Sequence, residues 1–332
     1  MSIPDRYTVG WICAITTEYT AARQFLEKEH DLPTHVSVND TNGYTLGEMA
    51  GHNVVIAVLP RGVYGLTSAA SVAANMLNSF PNIRVGLMVG VGGGAPTAKH
   101  DIRLGDVVVS SPENQTGGVY QYDYGKTIQG RKFQQTGFLN TPPAVVLTAL
   151  SVLESTYESE GHALQDSINA IFEQKPRLRK KYSRPDQQTD YLYKSDIIHP
   201  YGSAGDCTAV CGTQSCDIVQ RRERQADEDD PYIHYGIVAS ANQLMKDATV
   251  RDTLAKEKGV LCFDMEAAGL MNGFPCLVIR GVCDYSDSHK NKEWQGYAAM
   301  TAAAYAKDLL ARMVPSRVEQ EGRIKEALES SK

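Results

Sequence analysis

The strongest constraint in this sequence is a series of short, nearly continuous apolar runs separated by helical patterns. Thr8–Ile15 (TVGWICAI), Arg84–Val89, Asp106–Ser110, Ile233–Ser240, Val260–Phe263 and Cys276–Arg280 lack the strict alternation of a strand with one wet face. Such runs are the pattern of strands buried on both faces of a sheet. Between them, Ala21, Ala22, Phe25 and Leu26 recur at helical spacing, and an Ala-rich stretch runs from Thr67 to Phe80. Pro142–Tyr157 places Val146, Leu147, Leu150 and Leu153 on one stripe, and further helices are predicted near Thr249–Lys256, from Met265, and over Tyr297–Met313. Tyr44–Ala50 and Asn53–Leu59 flank Gly51-His52 and predict a hairpin. Strands alternating with helices imply one α/β domain around a mostly parallel sheet, whose ligands sit at the carboxyl ends of its strands. A chain of 332 residues that is 42% hydrophobic can bury such a core and is not wholesale disordered.

Residues 159–231 are polar, with a basic run (Lys175, Arg177, Arg179, Lys180, Lys181, Arg184) and a charged run from Arg221 to Asp230. They predict an insertion or flexible excursion from a domain spanning 7–314, and 315–332 a charged tail with little to bury, compatible with a linker to something further. Net charge is -6 and the pI about 5.8, which opposes polyanion binding, so nucleic acid is not an expected partner. The start MSIPDR lacks a basic leader, no apolar stretch reaches 18 residues, and the seven cysteines lack disulfide-rich spacing. The expectation is a cytoplasmic protein without membrane contact.

Three acidic residues fall at strand or loop ends: Glu18 in Thr16-Thr17-Glu18, Glu266 in Asp264-Met265-Glu266, and Asp284 in Arg280-Gly281-Val282-Cys283-Asp284. Singly each is a helix cap or dipole partner. Together they would meet at one rim of the sheet beside a Gly-rich turn, Gly90–Gly94, where the absent side chains of Gly92 and Gly93 let a ligand approach the backbone. That run is neither a dinucleotide fingerprint nor a phosphate loop, since it lacks the final Gly of GxGxxG and leads into Pro96. The sequence holds no GxSxG, which disfavours a serine nucleophile. His199, Cys207, Cys211 and Cys216 match no strong zinc signature and are taken as loop residues, with a metal site as the lesser alternative. Trp294 and Tyr297 either stack on a flat ligand or pack in the core.

The segments VGWICAITTEYTAA, LPRGVYGLTSAASVAANML, LMVGVGGGAP, DIRLGDVVVS, CFDMEAAGLMN and VIRGVCDYSDSHKNKEWQGYAAMTAAAYAKDLL together resemble the nucleoside phosphorylase and nucleosidase superfamily. The resemblance covers residues 7–312 and is narrower to a fungal branch found at the N-terminus of NACHT or ankyrin-repeat proteins. It implies a single α/β domain, a mixed twisted sheet curving into a partial barrel, homo-oligomers, and cleavage of a purine ribosyl N-glycosidic bond without cofactor or metal. By resemblance Asp284 is the general acid for the departing purine, which requires it to be protonated when substrate binds, and Glu266, beside Met265, clamps the ribose hydroxyls. The phosphate-binding residues of the phosphorylases are replaced by Thr16-Thr17-Glu18, Met88 and Val91, and a Glu at position 18 resembles the water-activating carboxylate of the methylthioadenosine/S-adenosylhomocysteine nucleosidases.

Two departures are Val91 and Cys283, each where relatives carry Ser. The family's base-recognition stretch matches Ser240–Met245, which offers Asn242, Gln243 and Leu244, while Arg61 falls in a ligand loop and is either a 5′-phosphate contact or an exposed Arg. The leading expectation is a purine nucleoside N-ribohydrolase. The alternatives are a nucleosidase for AMP or ATP, a purine nucleoside phosphorylase, and a sensor that binds nucleoside without turnover.

Overall fold

The computed structural model describes residues 2–113, 116–131, 133–200, 207–214, 216–225, 227–290 and 292–330. In chain order the elements begin with β1 (Val9–Cys13), α1 (Thr16–Gln24), β2 (Lys28–His30), β3 (Tyr44–Met49), β4 (His52–Val58), α2 (Leu66–Ser79) and β5 (Val85–Gly94). Then come β6 (Val107–Ser110), β7 (Val119–Gln121), a small ribbon of β8 (Gly125–Lys126) and β9 (Gln134–Gln135), and four helices: α3 (Ala144–Glu160), α4 (Leu164–Gln174), α5 (Arg179–Tyr182) and α6 (Cys207–Cys211). The last part holds β10 (Ile233–Ser240), α7 (Ala248–Lys258), β11 (Val260–Asp264), α8 (Ala267–Met271), β12 (Cys276–Asp284), α9 (Gln295–Ala311), α10 (Pro315–Val318) and α11 (Ile324–Ser330).

The main sheet runs β11-β10-β6-β12-β5-β1-β4-β3-β2, with β7 on β10. Its centre is parallel: β5 lies between β1 and β12. The β6–β12 and β2–β3–β4 pairings are antiparallel, so the sheet is mixed. An antiparallel contact of Cys262 and Phe263 with Gly94 and Gly93 closes β11 onto β5, making a partial barrel of β11, β10, β6, β12 and β5. Every residue of β1 and β11, and all of β12 but Asp284, is buried, as continuous apolar runs require. Helix α9 packs on β12 and β5 and is buried from Gly296 through Ala306, which explains its lack of a polar face.

Three expectations need correction. Gly90–Gly94 is the second half of strand β5 rather than a turn, because β12 continues beside it from Arg280 to Asp284 and β11 covers its end. The polar segment is not a detached excursion over its described residues. Leu164, Ile168 and Phe172 form a buried stripe on α4, which packs on α9, while Lys181 donates to Thr17 Oγ1 at 2.7 Å. The charged run is likewise anchored: Arg224 donates to both oxygens of buried Asp106 at 2.7 and 2.6 Å, and Arg221 pairs with Asp190 at 2.9 Å. The tail folds back as well, burying Val318 and Ile324 and bonding Ile324 N–H to the Ile83 carbonyl at 3.0 Å. Among the described residues no helix is long and apolar enough to cross a membrane.

Candidate functional site

Glu18 sits at the third position of α1, just past the end of β1, and is buried. Its Oε2 accepts the N–H groups of Ala14 at 2.6 Å and Ile15 at 3.1 Å, so it satisfies the helix start. Its Oε1 accepts the Val91 N–H at 2.8 Å across to β5. A Cβ on Gly90 would stand 2.3 Å from that oxygen, so glycine is required there by close approach rather than by backbone conformation. Burial pushes the Glu18 carboxyl up, opposed by the Arg280 charge and the three N–H donors. The Val91 substitution leaves this contact intact because it is made by the backbone.

Glu266 follows β11 and stands at the residue before α8, its side chain making no bond to that helix's N–H groups. Its Oε1 accepts the Gly65 N–H at 3.3 Å, and its Oε2 lies 3.9 Å from the guanidinium of Arg280, a fully buried side chain on β12 that is ion-paired with Asp264. Burial dominates here too and pushes Glu266 up to about 7, with Arg280 opposing and the Asp264 and Glu18 charges adding. Asp284 ends β12. Its Oδ1 accepts the Ser286 N–H at 2.9 Å, and its Oδ2 accepts from the Lys290 ammonium at 2.9 Å. The residue that the resemblance implies as general acid thus has a lysine, Lys290, as its direct partner.

These carboxylates face one cavity of about 490 Å³. Its lining includes Glu18, Gly92, Gly93, Gln243, Leu244, Met265, Glu266 and Asp284, all of them expected site residues. Phe263, Tyr64 and Met245 add apolar and aromatic wall; Asp264, Ser286, Lys246, Lys290 and Lys292 add polar groups. A larger cleft of about 1110 Å³ near Thr97, Lys99, Tyr120 and Lys258 lacks this convergence of carboxylates.

Three expected residues lie elsewhere. Trp294 is 1% exposed, packs edge-on to Tyr297 and donates its indole N–H to Thr189 Oγ1 at 3.0 Å, so it belongs to the core. Asn242 turns away from the cavity: its Oδ1 accepts the Leu66 N–H at 2.9 Å, at the start of α2. Arg61 is exposed and does not line the cavity. Arg280 and Lys290 went unassigned, although an arginine inside the apolar run VIRGVC was itself the sign of a buried counter-charge. Of the four loop residues considered for metal, His199, Cys207 and Cys211 come together and Cys216 is exposed.

No family model matches the sequence. A nucleotide-binding leucine-rich repeat (NLR)-like protein of Hyaloscypha variabilis is 46% identical over 312 residues, 94% of this chain. The chain spans 30% of that relative's length. Among solved structures, 5′-methylthioadenosine/S-adenosylhomocysteine nucleosidase from Neisseria meningitidis, in complex with methylthio-immucillin-A, superposes with a TM-score of 0.55 at 17% identity, covering 93% of this chain and 99% of that one. The Streptococcus pneumoniae (S. pneumoniae) nucleosidase gives 0.55 at 16%, with 92% and 100% covered, and futalosine hydrolase of Helicobacter pylori 0.52 at 15%, with 92% and 97% covered. The chain thus has the nucleoside phosphorylase-like fold of the nucleosidases.

Proposed function

We propose that this chain is a purine nucleoside N-ribohydrolase. The observation that carries the reading is the placement of Glu18, Glu266 and Asp284, from three separate strand ends, around one cavity. Breaking the C1′–N9 bond leaves positive charge on the ribose and sends the bonding electrons into the purine. Glu18 orients a water and takes its proton as the oxygen bonds to C1′. Burial, by raising its carboxyl, makes it a better base. Glu266 accepts the ribose hydroxyls, bonds that strengthen as the oxocarbenium develops. The Asp284–Lys290 pair delivers the proton that the departing purine takes up at N7, and Phe263, Met265 and Leu244 supply its apolar surroundings. The products are free base and ribose.

Hydrolysis is favoured over phosphorolysis by charge. Four carboxylates, Glu18, Asp264, Glu266 and Asp284, line the cavity against three lysines, of which Lys290 is paired with Asp284, and neither Met88 nor Val91 offers a cation to a phosphate nucleophile. A second reading, cleavage of nucleoside 5′-phosphates, draws on Lys246 and Lys292 in the lining rather than on Arg61. The chain is similar to part of an NLR-like protein, and in a larger protein of that kind depletion of a purine pool would be its output. Chromatographic product analysis with inosine, guanosine, adenosine, AMP and ATP, with and without phosphate, tests both. Base plus ribose without phosphate supports the proposal, and ribose 5-phosphate or its triphosphate supports the second reading. Ribose 1-phosphate formed only with phosphate refutes hydrolysis. Nucleoside binding with no product, unchanged in Asp284→Ala, replaces catalysis by sensing.

A further inference from the structure

We infer that His199, Cys207 and Cys211, completed by His289, hold one zinc ion behind the turn that follows Asp284. Cys207 and Cys211 are four residues apart on the single turn of α6, which puts both sulfurs on one side. His199 Nδ1 stands 3.1 Å from Cys211 Sγ and 3.2 Å from Cys207 Sγ, and all three donor atoms lie within 4.8 Å of one another. Tetrahedral zinc with ordinary Zn–S and Zn–N bonds has donor–donor edges of about 3.6–3.8 Å, so the cluster reaches this geometry by opening a few tenths of an ångström. None of the seven cysteines is in a disulfide.

The independent observation is His289. Its ring is 7% exposed, and neither Nδ1 nor Nε2 has a hydrogen-bond partner among the described residues. Asp287 Oδ2 stands 3.7 Å from Nδ1, beyond hydrogen-bond reach. A buried imidazole with both nitrogens idle is costly unless something binds it. Its ring lies 5.9 Å from that of His199, edge to face, where two imidazoles on one tetrahedral ion lie about 5 Å apart. His289 and Cys207 also line one small cavity of about 20 Å³, which places the His289 ring on the Cys207 side of the cluster, although His199 and Cys211 do not line it. Two thiolates and two imidazoles are the donor set of structural zinc, and soft sulfur ligands select against magnesium and calcium.

The ion's role is positional. His199 N–H already donates to Ser288 Oγ at 2.9 Å, and His289 stacks on Tyr193 at 3.9 Å. Zinc therefore staples α6 and His199 to the Ser288–His289 turn, between Asp284 and its partner Lys290.

The test is metal analysis of the purified full chain. One zinc per chain is expected by mass spectrometry. After chelation, cobalt(II) added to the wild-type chain should give thiolate-to-metal charge-transfer and tetrahedral ligand-field bands. Both signals should vanish in the Cys207→Ser/Cys211→Ser variant and persist in Cys216→Ser, and His289→Asn should weaken zinc binding at least tenfold. Because the cobalt spectrum is read on the wild-type chain, a variant that fails to fold does not blunt the test. A folded chain that binds neither metal, with all seven cysteines found reduced when counted after denaturation, overturns the inference. So does a Cys207–Cys211 disulfide, or a cobalt spectrum unchanged by the double substitution. Unaltered affinity in His289→Asn overturns the four-donor set.

Discussion

Lowering the pH from 8 to 6 should reduce kcat/KM of the proposed enzyme about tenfold, through Glu266 alone. The ribose clamp works as a carboxylate, because only the ionised form accepts from both hydroxyls with charge-assisted bonds. Burial, aided by Asp264 and Glu18 and opposed by Arg280 at 3.9 Å, holds this carboxyl up at about 7 in the free enzyme. Its ionised fraction is then about 91% at pH 8 and about 9% at pH 6. Glu18, also raised by burial, steepens the fall wherever it titrates in the same range. The assay is initial-rate base release at subsaturating nucleoside across that interval, since kcat/KM reports free-enzyme ionisations. The same shift carries a stability consequence whose sign is fixed. With the folded carboxyl raised above its ordinary value of 4.5, the folded state holds the extra proton between about pH 4.5 and 7. Stability therefore falls as pH rises through that window, by at most about 3 kcal/mol. Comparing unfolding of wild type with Glu266→Gln isolates this part, because the variant lacks the titration. A wild-type kcat/KM that changes less than twofold between pH 8 and 6 refutes the reasoning, as does a stability difference between the two chains that stays constant with pH.

Asp284→Asn should lower kcat by roughly 10²–10⁴-fold with nucleoside binding retained, and Lys290→Ala should lower kcat more than it raises KM, both read by base release at saturating substrate. Asp106→Asn should destabilise the fold by about 3–5 kcal/mol in urea titration, because it leaves Arg224 beside an uncharged partner in a buried network that also includes His234. Burial works to raise the Asp106 carboxyl, but the His234 and Arg224 bonds win and hold it well below the usual range, so its contribution persists above about pH 4 and is lost only in strong acid. Trp294→Ala should cost about 3–5 kcal/mol of stability as a core deletion, while Arg61→Ala should change stability by less than about 0.5 kcal/mol and leave nucleoside cleavage untouched.

What the sequence made legible was set by how local each signal is. Continuous apolar runs located the central strands to within a few residues, and with them the acidic residues at their ends, because strand termini in a parallel sheet converge whatever the loops do. Gly90–Gly94 was misread because a glycine run looks the same whether the backbone turns or a neighbour needs the space. Here Glu18 and Ser286 fill the volume a side chain would take. The stripe of Leu164, Ile168 and Phe172 was hidden by polar surroundings, and the anchoring of Arg221 and Arg224 depends on partners at Asp190 and Asp106 that no local pattern reveals. Asn242 and Trp294 carried the right chemistry for a ligand and spend it on the protein instead, one on the start of α2 and one on the Thr189 hydroxyl.

The place of β5 between β1 and β12 also dictates when the proposed site can be completed during synthesis. Its β1 partner is made first, but Gly86 waits for Cys276, and more than half of the chain lies between them. Until then one hydrogen-bonding edge of an apolar strand stays open, and such long-range parallel pairings form slowly. Arg280, the counter-charge for both Glu18 and Glu266, arrives on that same late strand. A ribosome-bound chain halted before β12 would hold Glu18 without its electrostatic partner, so the proposed activity should be absent and the open edge prone to pair with a neighbour.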